Sequence, residues 1–170
     1  PKKIQPLPKN LRRLVNILNG VMGDHLITHH NPLAVSMVLY DEYNRVKSGE
    51  LSGRVIILCH GLCMSHLSWQ VSGEGNLGEA LVKHLPKATV LYLNYNTGRR
   101  ISSNGRSFAK VLQDLVESNP DVTQIDLIGH SMGGLLSRSA LFYGKEQGFS
   151  WVKRVGNLVT LGSPHHGASL

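Results

Sequence analysis

Five consecutive apolar residues, Val55-Ile56-Ile57-Leu58-Cys59, leave little choice of architecture for the chain around them. A strand that is apolar at every position has no side for water, so it belongs inside a parallel sheet covered on both faces. The sequence after it repeats the demand. Segments 89–93, 125–128 and 157–161 are further short runs rich in branched apolar residues. Between them, 77–85, 102–118 and 132–145 carry apolar residues at helical spacing. In the second of these, Phe108, Val111, Leu112, Leu115 and Val116 share one side, and Asn119-Pro120 stops the helix. Strands alternating with helices at this spacing predict an α/β domain: a mostly parallel sheet, right-handed crossovers, helices on both faces.

Upstream the signals differ. Residues 1–9 hold three prolines and three lysines and read as an irregular leader. Leu11, Leu14, Val15, Leu18, Val21 and Met22 then recur at three- and four-residue spacing, predicting a helix with one apolar stripe. Gly20 and Gly23 weaken its end, and Asn31-Pro32 closes it. Residues 33–40 read as a strand and 47–53 as a polar turn. The expected organisation is a basic leader with an amphipathic helix over 1–32, followed by one α/β domain over 33–170.

With 170 residues, the chain is long enough to bury one substantial core. Cys59 and Cys63 alone cannot make a disulfide scaffold, and no run of 18 apolar residues offers a membrane-spanning helix. A cytoplasmic or peripheral-membrane location is expected. The net charge of +7 favours anionic partners. Its distribution speaks against nucleic acid, because Lys2, Lys3, Lys9, Arg12 and Arg13 crowd one end with no aromatic platform between them. That basic helix suits peripheral contact with an anionic membrane surface instead.

The chemistry concentrates in Gly129-His130-Ser131-Met132-Gly133-Gly134, which directly follows one predicted strand and opens the next helix. A serine on so sharp a turn takes a strained backbone, and glycines are needed where neighbouring main chain closes around it. The turn lifts the hydroxyl above the sheet and aims the first free N–H groups of the helix at whatever reacts there. His60-Gly61-Leu62 leaves the strand 55–59 at the same carboxyl end of the sheet, where ligands gather in open α/β folds. Ser131 is thus the candidate nucleophile, and the N–H groups of Leu62 and Met132 are the candidate oxyanion donors. His60 reads as a structural histidine that orders its loop. Leu67 and Trp69 are candidates for an acyl pocket or for ordinary packing. Gly73-Glu74-Gly75-Asn76-Leu77-Gly78 has the spacing of a dinucleotide loop but lacks the strand that should run into it. The pairs His29-His30 and His165-His166 have neither helical spacing nor carboxylates for a metal site.

Segments 55–69, 125–139 and 158–169 together resemble the α/β-hydrolase superfamily. Within it they are similar to the lipase and esterase branch that includes small bacterial triacylglycerol lipases and GPI inositol-deacylase-like hydrolases. The matching pieces are the strand with its His-Gly-Leu loop, the elbow Gly-His-Ser-Met-Gly-Gly, and Thr160-Leu161-Gly162-Ser163-Pro164-His165-His166-Gly167. Asn19 to His25 is similar in style to leaders on some bacterial members. The resemblance implies cleavage of a small-molecule or lipid ester through an acyl-enzyme on Ser131, a Ser-His-acid triad, and no metal or organic cofactor.

The triad of this superfamily runs serine, acid, histidine along the chain. After Ser131 the sequence offers Glu146 as its one acid and His165 and His166 as its histidines. Glu146 ends the helix that Ser131 begins, roughly 20 Å away at the standard rise. In the family, the loop holding His165 and His166 is structural. The triad acid and base are therefore expected to lie beyond this chain, which reads as the N-terminal portion of a hydrolase, incomplete at its C-terminal side. His165 or His166 as a substitute base, an acyltransferase or amidase on the same fold, and a non-catalytic interaction remnant are the alternatives.

Overall fold

The computed structural model describes residues 8–71 and 75–167. Lys2 and Lys3 of the leader, Gly73 and Glu74 of the glycine-rich loop, and Ser169 at the end of the third matching segment lie outside the described residues. In chain order the elements are helix α1 (Lys9–Thr28), strands β1 (Val38–Tyr40) and β2 (Gly53–Cys59), the short strands β3 (Gln70–Val71) and β4 (Gly75–Asn76), helix α2 (Leu77–His84), strand β5 (Ala88–Asn94), helix α3 (Ile101–Ser118), strand β6 (Val122–His130), helix α4 (Met132–Glu146) and strand β7 (Val155–Leu161).

The main sheet has the order β1-β5-β2-β6-β7. β5, β2, β6 and β7 are parallel, and β1 pairs antiparallel with β5 at one edge. From β2 the chain first moves outward to β5, then crosses back through α3 to β6 on the other side. The strand order therefore switches between β2 and β6, and the loops leaving their carboxyl ends face each other across the resulting crevice.

Register divides the side chains between two cores. Ile57, Leu127 and Leu158 align across β2, β6 and β7 on one face, packed with Phe108 and Leu112 of α3 and Leu136 and Ala140 of α4. Leu58, Ile128 and Val159 align on the other face, where Leu77 and Leu81 of α2 and Trp69 cover the central strands. Val55 through Cys59 are 0–1% exposed, as their unbroken apolar run requires.

Two expectations for the N-terminal part need correction. Residues 33–40 form a strand only over Val38–Tyr40. Asn19 explains the shortening: its side chain donates to Leu33 O at 2.8 Å and accepts from Val35 N–H at 2.9 Å, so it takes up bonds that a ladder would use. The helix forms and runs on past its glycines, with non-helical dihedrals at Met22, but four of the six residues of its apolar stripe face outward. Leu11, Leu14, Val21 and Met22 are exposed, whereas Val15, Asn19, Gly23 and Leu26 face the protein. Close approach selects this face. A Cβ at Gly23 would lie 2.0 Å from Asn96 Oδ1, and one at Gly20 would lie 2.3 Å from Cys63 Sγ. α1 thus seats its glycines against the loops that leave β2 and β5.

Candidate active site

Ser131 stands alone between β6 and α4, with φ 53° and ψ −121°. A left-handed φ on a non-glycine residue is strained and persists only where surroundings over-determine it. Here they do. Ser131 N–H donates to Leu161 O at 2.8 Å, and Gly134 N–H donates to Ser131 O at 3.1 Å. The glycines on either side leave space that nothing else can spare. A Cβ at Gly129 would sit 2.3 Å from Gly134 N, and one at Gly133 would sit 2.1 Å from Cys59 O. One at Gly134 would sit 2.0 Å from Ser163 Oγ.

The loop after β2 meets this elbow at Gly61. A Cβ there would lie 3.1 Å from Ser131 Cβ, 3.2 Å from Met64 Sδ and 3.3 Å from His130 Nδ1. Among the described residues, neither Leu62 N–H nor Met132 N–H has a hydrogen-bond partner, so both donors remain available. The next residue, Cys63, has φ 57°, and its N–H donates to Thr97 Oγ1 at 3.1 Å. A loop so held keeps the Leu62 amide in one orientation.

His60 is enclosed. Its ring is 0% exposed, stacks on Tyr95 with centroids 4.5 Å apart, and donates from Nδ1 to Gly61 O at 3.0 Å. Tyr95 OH in turn donates to His60 O at 2.7 Å. Burial pushes the imidazole down to about 4, with the Gly61 bond opposing, so the ring is neutral at ordinary pH. This is the environment of a residue that fixes a loop.

The other candidates lie elsewhere. His165 accepts from Arg138 at Nδ1, 2.9 Å, and its Nε2 stands 3.3 Å from Thr160 Oγ1, so both ring nitrogens are engaged away from Ser131. His166 is exposed, and Glu146 is exposed at the far end of α4. Asp126 is a buried carboxylate, but its partners are Arg54, Gln124 and Asn157. Burial alone would raise its pKa; those hydrogen bonds and the Arg54 charge outweigh it and leave the group below its ordinary value. It lies midway along β6 and ties β2, β6 and β7 together.

A cleft opens beside the elbow on the α2 face. One compartment, of about 400 Å³, is walled by Met64, Trp69, Leu77 and Ala80 together with His60 and His130. Trp69 lines it, while Leu67 lines an adjoining polar compartment. Met64 carries no periodic signal in the sequence, and Arg12 and Arg13, which also border the polar compartment, arrive from α1 through tertiary packing alone. The glycine-rich stretch serves packing at its end: Asn76 caps α2 by accepting from Gly78 N–H, and a Cβ at Gly78 would lie 1.9 Å from Tyr92 OH.

The family model described as the PGAP1-like alpha/beta domain matches residues 50–170. Among solved structures, the mature form of the Bacillus licheniformis lipase BlEst2 is 25% identical with a TM-score of 0.55, covering 78% of this chain and 48% of the lipase. The propeptide form of that lipase aligns with the same identity and TM-score, over 26% of its length. An esterase of Pyrococcus furiosus aligns at 17% identity with a TM-score of 0.44, covering 71% of this chain and 47% of the esterase. No curated protein matches the sequence. The chain spans about half the length of the mature lipase.

Proposed function

For a chain that belongs to the PGAP1-like alpha/beta domain family and has the α/β-hydrolase fold of lipases and esterases, we propose hydrolysis of carboxylic esters through an acyl-enzyme on Ser131. Ser131 Oγ attacks the ester carbonyl carbon and its proton passes to a base. The carbonyl oxygen becomes an oxyanion that accepts from Leu62 N–H and Met132 N–H. Collapse breaks the bond to the alkoxy oxygen, which leaves as the alcohol with the proton. Water then repeats the sequence on the acyl-enzyme and releases the acid.

What supports this most directly is the strained Ser131 between β6 and α4, packed against Gly61 of the loop with two unspent amides nearby. Activating the hydroxyl takes an imidazole oriented by an acid. His165, held by Arg138 and Thr160, and Glu146, at the far end of α4, do not have that geometry. The proposal assigns base and acid to the part of the lipase fold that this chain does not span.

Labelling with a fluorophosphonate probe tests the reading. Labelling of the native protein that disappears in Ser131→Ala supports it. The competing reading, a non-catalytic interaction module, is favoured by the engagement of His165 and predicts equal labelling of both proteins.

The proposal includes peripheral contact with an anionic membrane. Five cations and no acid precede Asp24 in the sequence, and α1 turns Leu14 (52% exposed) and Val21 (75%) to solvent. Among the described residues no helix is long and apolar enough to cross a membrane.

A further inference from the structure

The cleft beside the elbow has two compartments, one lined mainly by apolar groups and one lined by polar and apolar groups in about equal part. The apolar one starts where Met64 and His130 meet Ser131 around Gly61. It shares Met64, Ser68, Gly75 and Asn76 with the more polar compartment, of about 900 Å³, that Arg12 and Arg13 border. Neither arginine is spent on an ion pair: the pairs among the described residues are Arg45–Asp41, Arg54–Asp126 and Lys110–Asp114. Arg12 Nε is buried with no hydrogen-bond partner. Glu79 stands on the same wall and pairs with neither guanidinium. Partly withdrawing the Arg12 guanidinium from water without a counter-charge is costly, while Arg13 stands exposed at the rim. An occupant with anionic oxygens removes that cost, and a guanidinium fork matches phosphate or carboxylate geometry.

We infer that the cleft binds an ester amphiphile with an anionic head, its acyl chain between Trp69, Leu77 and Ala80 and its phosphate on Arg12 and Arg13. The inference rests on the ester-hydrolase reading for the fate of the ligand, but not for its binding. Neutral amphiphiles share the apolar contacts and lack the charged ones. Free phosphate esters have the charge and lack the chain.

Titration calorimetry on the full chain carrying Ser131→Ala separates these terms, because turnover is removed. The ligands are monomeric dihexanoylphosphatidylglycerol, dihexanoylglycerol and glycerol phosphate. Two charge-assisted contacts predict binding of the phosphatidylglycerol at least about tenfold tighter than of the neutral diglyceride, and burial of its acyl chains predicts at least about tenfold tighter binding than of glycerol phosphate. Arg12→Gln with Arg13→Gln should remove the first advantage and leave diglyceride binding unchanged. Ala80→Phe, at an exposed helix position, should weaken both lipids together. Should the double variant lose its circular dichroism, Arg13→Gln alone, at an exposed site, carries the charge test with a severalfold loss expected. Equal affinity for charged and neutral lipid, or indifference to the arginine substitutions, overturns the inference. Glycerol phosphate binding as tightly as the phosphatidylglycerol overturns the amphiphile and leaves a free-phosphate site. The same lipid-binding pattern with no Ser131-dependent fluorophosphonate labelling of the native protein overturns the hydrolase reading alone.

Discussion

His60 and Asp126 are both buried, yet acid acts on them in different pH windows. His60 titrates at about 4 in the fold, against about 6.5 in an unfolded chain, chiefly because burial disfavours its charged form. Between those values the unfolded state binds the extra proton, so stability is full above pH 6.5 and drains away as pH falls to 4. The loss amounts to roughly 3 kcal/mol. Asp126 has a lowered pKa, so its contribution is present above the ordinary carboxylate value and is lost only below it. Urea midpoints should therefore drop between pH 6.5 and 4.5 in the native protein, and His60→Gln should flatten that segment. An unchanged slope in the variant would assign it elsewhere. Gly133 offers a geometric counterpart. A methyl group there meets the main-chain oxygen of Cys59, which has no freedom to retreat, so Gly133→Ala should cost about 3 kcal/mol in denaturant unfolding. These constraints explain why the elbow is readable from sequence: main chain leaves no room for a Cβ at Gly129 or Gly133, and the Ser163 and Thr160 side chains leave none at Gly134. The hold of Thr97 on Cys63 was not readable, because 34 residues separate the partners and neither has a signal of its own.

Among the elements, β2, β5, β6 and β7 and the helices between them follow hydrophobic spacing to within a few residues, because each is pressed on a face its pattern announces. α1 follows a different rule. Periodicity tells which residues share a side of a helix, not which side is covered. Here the covered side is the one whose glycines let main chain approach main chain: a Cβ at Gly98 would lie 2.0 Å from Asn19 O and 2.6 Å from Gly23 N. Consequently the side with larger side chains is left to solvent. Substituting Leu14, Val21 and Met22 with Gln should leave unfolding free energy within about 0.5 kcal/mol, as for other exposed positions. Gly23→Val should destabilise strongly. If the outward face docks on lipid, the triple Gln variant should also lose sedimentation with phosphatidylglycerol-containing vesicles, and 0.5 M salt should weaken native binding. Vesicle binding that survives the substitutions would leave α1 without that role. A native dimer that dissociates in the triple variant would assign the face to a second copy of the chain.

For the whole molecule, the decisive feature is the asymmetry of the sheet's two margins. β1 closes one side as a three-residue antiparallel strand, short and partly shielded by its bridge from Tyr40 to Val46. β7 forms the other margin with seven residues, and among the described residues nothing pairs with its outer edge. Its flank is also bare. Leu158 points into the core beneath α4, but Val159 and Leu161 lie on the α2 face, 42% and 40% exposed, beyond the reach of that helix. A long strand with free main-chain donors and acceptors and an apolar side is a template for pairing with another strand. As an isolated 170-residue polypeptide, without the part of the lipase fold that it does not span, the chain should therefore associate through β7 as its concentration rises. Sedimentation velocity between low and high micromolar concentration should show a rising weight-average coefficient, and Val159→Lys should suppress it. The lysine places a charge on the exposed flank without touching the β6–β7 ladder, so near-native unfolding free energy in this variant separates loss of association from loss of fold. A native chain that stays monomeric throughout would mean the margin is protected by something other than a partner strand. An associating Val159→Lys protein would move the contact to another surface, such as the outward face of α1, where Leu11, Leu14, Ile17, Val21 and Met22 are exposed.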